Sequence, residues 1–112
     1  MKDFRSLVVW QKGMLLAKSV YVFTQKLPDT EKFGLISQLR RCTVSIPSNI
    51  AEGSKRGTAK DFGQFLKIAS GSAAELETQL MLVKDIYLLD DENVMSILKE
   101  VQKMLEVFIR KL

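Results

Sequence analysis

Arg41, Ser45, Asn49 and Glu52 recur through "RCTVSIPSNIAEGSKR" (residues 41–56) at intervals of three and four. On a helix that spacing puts a guanidinium, a hydroxyl, an amide and a carboxylate on one side. Such a set could hold a phosphate, bind a polar partner or lock two helices in register. Catalysis is the weakest use of it, because the chain contains no histidine. The commonest general base is therefore missing, together with every Ser-His or Cys-His nucleophile pair. The single cysteine, Cys42, rules out an internal disulfide and a cysteine zinc cluster. Two glutamates could bind a divalent metal, but a dimetal bundle site calls for several inward carboxylates with Glu-x-x-His pairs. "ASGSAAE" (69–75) has the small residues of a phosphate loop without its Gly-Lys-Ser/Thr ending, and it sits inside a helical pattern. The expectation is a protein that is not an enzyme, with no metal, cofactor or small-molecule substrate.

Four amphipathic segments must position these residues. Leu7–Leu27 has helical periodicity, with Val9, Trp10, Met14, Leu16, Ala17, Val20, Tyr21, Phe23 and Leu27 on one broad face. Val8, Leu15 and Val22 form a second, narrow stripe seven residues apart. In so small a bundle that stripe has no partner within the chain, so it is expected to be an oligomer interface. A second segment begins near Glu31, with Thr30 as N-cap, and carries Leu35, Leu39, Cys42, Ile46 and Ile50. A third runs from Thr58, a plausible cap with Asp61 three residues on, to Leu89; a fourth runs from Asp91 to Lys111. No segment alternates with period two. An all-α, antiparallel up-down-up-down four-helix bundle forming one domain (1–112) follows.

Pro47 bears on whether residues 41–56 are a loop or a helix. It lacks the N–H that would bond the Thr43 carbonyl, and it biases Ile46 away from helical dihedrals. The apolar series keeps its phase across the proline, as do Arg41, Ser45, Ser48 and Glu52. A loop has no reason to hold that register, so the reading is a second helix kinked at Pro47 and ending near Gly53. Gln38, Ser45, Asn49 and Glu52 on this helix, with Ser72, Glu75 and Gln79 on the third, then make a polar stripe beside the core. Arg41 could pair with Glu52 or Glu75, and Asn49 could bridge to Ser72 or Gln79. Gly71 would let another backbone come close. The stripe serves either structure, as a half-buried network fixing register or a subunit contact, or binding. The binding residues would be Arg40, Arg41, Lys55, Arg56 and Lys60. Trp10 and Tyr21 are expected in the core rather than as platforms for bases.

The totals agree with this picture. A chain of 112 residues, 46% hydrophobic and 27% charged, is ordinary globular material. No window approaches the roughly 18 uncharged apolar residues of a membrane span. With no signal-peptide pattern at the start, a cytoplasmic location is expected and membrane association is not. A net charge of +4 and a pI near 9.3 permit RNA or DNA as a partner without demanding either.

"LVVWQKG", "FGLISQLRRCTVSIPSNIAEGSKRGT" and "FLKIASGSAAELETQL" together resemble the four-helix bundle family encoded in intervening sequences of bacterial large-subunit ribosomal RNA genes. More distantly they resemble the accessory variability protein of diversity-generating retroelements, a pentamer that binds nucleic acid and a reverse transcriptase. The resemblance spans nearly the whole chain and implies a four-helix up-and-down fold in a homopentamer. Its signature positions fall on Gln38, Arg41, Ser45, Pro47, Asn49, Glu52 and Gly53, then on Gly71, Ser72, Glu75 and Leu76. Cys42 departs from the small residue, such as alanine, that is usual there. The reading that follows is a non-enzymatic oligomeric bundle that binds nucleic acid, or a partner that processes it, through a basic surface. The alternative is a structural protein–protein interaction module without nucleic-acid binding.

Overall fold

The computed structural model describes residues 3–112, so Met1 and Lys2 of the expected 1–112 domain lie outside the described residues. Four helices account for most of the chain: α1 (Val8–Thr24), α2 (Leu35–Ser54), α3 (Ala59–Tyr87) and α4 (Glu92–Lys111). Two short 3-10 turns, Phe4–Ser6 and Asp29–Glu31, precede α1 and α2. There is no strand among the described residues. Helix α1 packs against α2 and α4, and α3 packs against the same two, so the four surround one core.

That core repeats every three to four residues along each helix, as burial of one helical stripe requires. It holds Leu16, Val20 and Phe23 of α1; Leu39, Ile46 and Ile50 of α2; Leu66, Leu76 and Val83 of α3; and Leu98, Val101 and Leu105 of α4. The face expected on the first helix was too broad. Trp10, Met14 and Ala17 are only partly buried, and Tyr21 is 41% exposed. These four line a hollow together with Val44 and Pro47 of α2, and Trp10 also packs against the core. Leu112, which follows α4, is also exposed.

Helix ends are built from local chemistry. The Thr58 hydroxyl accepts the Asp61 N–H at 3.1 Å, and Asp91 accepts the Val94 N–H at 3.0 Å, so both expected starts carry caps. The start of the second helix differs from expectation. Residues 29–31 form the separate 3-10 turn, and α2 begins only at Leu35, after Gly34 at φ −109°, ψ −114°. Glu31, not Thr30, does the capping: its Oε1 accepts the Leu35 N–H at 3.0 Å, satisfying a donor that has no partner within the helix. Its other oxygen accepts the Tyr87 hydroxyl, which ties this corner to the end of α3. At that end Leu88 takes a left-handed conformation (φ 58°) and returns its N–H to the Lys84 carbonyl.

Helix α2 runs unbroken from Leu35 to Ser54 with Pro47 inside it. Pro47 is buried, and it lies beside Gly13 of α1, where an added Cβ would stand 3.5 Å from the proline ring. Residues 41–56 are therefore helix as far as Ser54, with the turn at residues 55–58.

Candidate functional site

The polar stripe is a seam between α2 and α3. The hydroxyls of Ser45 and Ser72 meet at 2.9 Å. Asn49 sits one turn beyond Ser45 and donates to its carbonyl at 2.8 Å and to its hydroxyl at 2.9 Å. The Cys42 thiol donates to the Ser72 carbonyl at 2.9 Å. Gln38, Arg41 and Glu75 join Cys42, Ser45 and Ser72 around a shallow hollow of about 230 Å³. Five of the residues expected in one stripe or its border thus share one place with Cys42, because i, i+3 and i, i+4 neighbours stack on a helix.

The individual pairings differ from those expected. Asn49 bonds within its own helix rather than to Ser72 or Gln79. Glu52 pairs with Arg56 at 2.8 Å rather than with Arg41. The Gln79 side-chain oxygen is buried with no hydrogen-bond partner among the described residues. Burial, aided by the Glu75 carboxylate, pushes the Cys42 thiol up to about 11. At neutral pH the group is a thiol that donates a hydrogen bond, not a nucleophilic thiolate.

Below the seam, the glycine of "AEG" is a packing residue. A Cβ at Gly53 would stand 2.6 Å from the Phe65 Cβ and 3.0 Å from Phe62, so α2 meets α3 there at backbone distance. Gly71 is the opposite case, with nothing within 4 Å of its would-be Cβ. No backbone of the described chain uses the opening that Gly71 provides.

The five basic residues fall into separate groups along α2. Arg40 lies toward α1, donating through Nε to the Thr24 hydroxyl at 3.0 Å and stacking 4.5 Å from the Tyr21 ring centroid. Arg41 borders the polar hollow. About 22 Å further along the helix axis, Lys55 and Arg56 end α2, with Arg56 held by Glu52 and stacked on Phe65. Lys60 is exposed in the first turn of α3. The group therefore spans the length of α2 rather than forming one compact cluster.

A second pattern is wider than these five residues. Residues 1–56 hold ten Lys and Arg against four Asp and Glu, whereas residues 57–112 hold seven against nine. Helix α1 has no carboxylate at all, and α2 has only Glu52. The fold sets α1 beside α2, which makes one side of the molecule basic. Two hollows of about 640 and 620 Å³ lie along this α1/α2 side and share Tyr21 and Val44. Their linings include Lys18, Lys32, Arg40 and Arg41, and no acidic residue. The carboxylate-free runs at 4–28 and 32–51 are the sequence signal that marks this face.

The narrow stripe on α1 is exposed, at 55% for Val8, 45% for Leu15 and 62% for Val22. Helix α3 carries an apolar ridge that periodicity did not single out, made by the exposed Ile68, Leu82 and Ile86; Met81, also exposed, lies away from it, toward α4. Among the described residues, no helix is long and apolar enough to cross a membrane, and no three His, Cys, Asp or Glu side chains gather as a metal site.

A family model described as 23S rRNA-intervening sequence protein matches residues 5–110 of the chain. No curated protein matches the chain.

Proposed function

Because the chain belongs to the 23S rRNA-intervening sequence protein family, we propose that it is a non-enzymatic, oligomeric binding protein whose basic α1/α2 side engages nucleic acid, or a partner that processes it. The observation that carries this reading is the segregation of charge, with α1 free of carboxylates and packed beside an α2 that has one. Clustered cations with few intervening carboxylates make an electrostatic footprint for phosphate. Arg41, Lys55 and Lys60 have no ion-pair partner among the described residues, which leaves their charge available to a ligand.

The same reading takes the chain as one domain, an antiparallel up-down-up-down bundle. Connections of four residues at 55–58 and 88–91 support it, since links this short join antiparallel neighbours. It also takes α2 to bend at Pro47, where one backbone hydrogen bond is missing. A homopentamer is the assembly implied by the family resemblance. The exposed stripes on α1 and α3 support self-association, because apolar residues at helical spacing on two helices exceed the scatter expected of a surface.

The second reading, a structural interaction module without nucleic acid, draws on the Ser45–Ser72–Asn49 network, whose hydrogen bonds link groups of the chain itself. Binding of structured RNA and duplex DNA across a salt series separates the two. Each phosphate contact steepens the fall of log affinity with log salt by about 0.9 on duplex DNA. The triple variant Arg41→Glu, Lys55→Glu, Lys60→Glu should abolish binding with helix content intact. Absence of salt-sensitive binding at low ionic strength would leave the structural module.

A further inference from the structure

Phe33 is the most exposed large hydrophobic residue among those described, at 90%, and it stands at the entry to α2 beside the Lys32 ammonium, 5.6 Å from its ring centroid. A phenylalanine in this position adds nothing to the core. It lines the same hollow as Tyr21, Arg40 and Arg41, and that hollow adjoins, at Tyr21 and Val44, the one lined by Trp10 and Lys18. Along α1, Trp10 to Tyr21 covers about 16 Å. Three aromatic rings thus alternate with cations along one groove. The Arg40 guanidinium is held in place by Thr24 and by the Tyr21 ring. Among the described residues its terminal amino groups have no hydrogen-bond partner, so they are left for an oxygen ligand.

We infer that the α1/α2 groove binds single-stranded nucleic acid, with a base stacking on Phe33 and phosphates meeting Lys18, Arg40 and Arg41, the last two beside Tyr21. The inference rests on the basic-surface reading and narrows it to one face and one form of nucleic acid. A duplex keeps its base faces inside the stack and offers this groove only phosphates. A single strand offers both, and ring stacking is tolerant of sequence because every base has a π-face. The match is chemical on both counts: an anionic backbone for a lining without carboxylates, and a planar base for the exposed Phe33 ring. Tyr21, expected in the core, is exposed and lines both hollows, whereas Trp10 packs against the core as expected and also lines the groove.

The test is fluorescence anisotropy of the full chain with a labelled single-stranded RNA and with the same strand annealed to its complement, at several salt concentrations. The single strand should bind more tightly and should change the emission of Trp10, the sole tryptophan. Phe33→Ala should weaken single-strand binding at least about fivefold with the circular dichroism spectrum unchanged. Arg41→Gln should reduce the single-strand salt slope by about 0.7. Equal affinity for duplex and single strand, with Phe33→Ala silent, would overturn the groove assignment and leave the basic-surface reading standing. Salt-sensitive binding of neither would remove both. If Phe33→Ala instead lowers the sedimenting mass without affecting RNA, the patch belongs to a second copy of the chain and the assignment falls.

Discussion

Two glycines with the same local chemistry have opposite roles. Alanine is favoured over glycine inside a helix by about 1 kcal/mol. At Gly53 that gain meets the Phe65 Cβ at 2.6 Å, which is main-helix atom against main-helix atom and has no flexible end to move aside. Forced overpacking costs about 1–3 kcal/mol. Gly53→Ala is therefore expected to lower the urea midpoint, whereas Gly71→Ala, with open space around it, should raise it. Should Gly71→Ala also lower the sedimenting mass, the opening at Gly71 is used between subunits. Cys42 gives a second expectation at this scale. Burial, with the Glu75 carboxylate nearby, keeps the thiol protonated, so a thiol reagent should label it slowly in the native protein and quickly in denaturant. Rapid native labelling would contradict this account of the seam. The pairing of glycine with Phe65 was not legible in the sequence, because a helical wheel gives direction and no distance.

Among the elements, the start of α2 shows how a side chain distant in sequence replaces a local cap. Glu31 accepts the Leu35 N–H and also the Tyr87 hydroxyl from the far end of α3, and these two bonds hold its carboxyl below the ordinary value of 4.5. A carboxylate with a lowered folded value stabilises the fold fully above the ordinary value. That contribution is lost as pH falls through the lowered one. Glu31→Gln should therefore be less stable than the parent at neutral pH, and the gap should close in acid. Urea unfolding at several pH values measures this; a gap independent of pH would assign the loss to shape rather than charge. The existence of all four helices was legible, since each has a long apolar period. Their ends were legible where Thr58 and Asp91 sit next to the donor they cap. The start of α2 was not, because Tyr87 lies 56 residues away from Glu31 in sequence.

For the whole molecule, positive charge is concentrated on one side, while exposed apolar residues occur both on that side, at Tyr21, Phe33 and Val44, and away from it. The basic side is α1/α2; exposed apolar residues run along α1 at Val8, Leu15 and Val22 and along α3 at Ile68, Leu82 and Ile86. Leu15→Glu with Val22→Glu is expected to reduce the mass seen by sedimentation while leaving thermal unfolding cooperative, since both side chains lie outside the core. An unchanged mass would move the interface to the α3 ridge. The residue order determined the four helices, the continuity of α2 through Pro47 and the gathering of Gln38, Arg41, Ser45, Ser72 and Glu75. Helical periodicity is a local property, and it carries through to any packing that buries the same stripe. Only the tertiary structure decided which polar atoms meet, that Glu31 caps α2, and that Tyr21 and Phe33 share a groove with Arg40 and Arg41. Those outcomes depend on the distance and rotation between helices, which are set by side-chain packing across the core and are not written in any one segment.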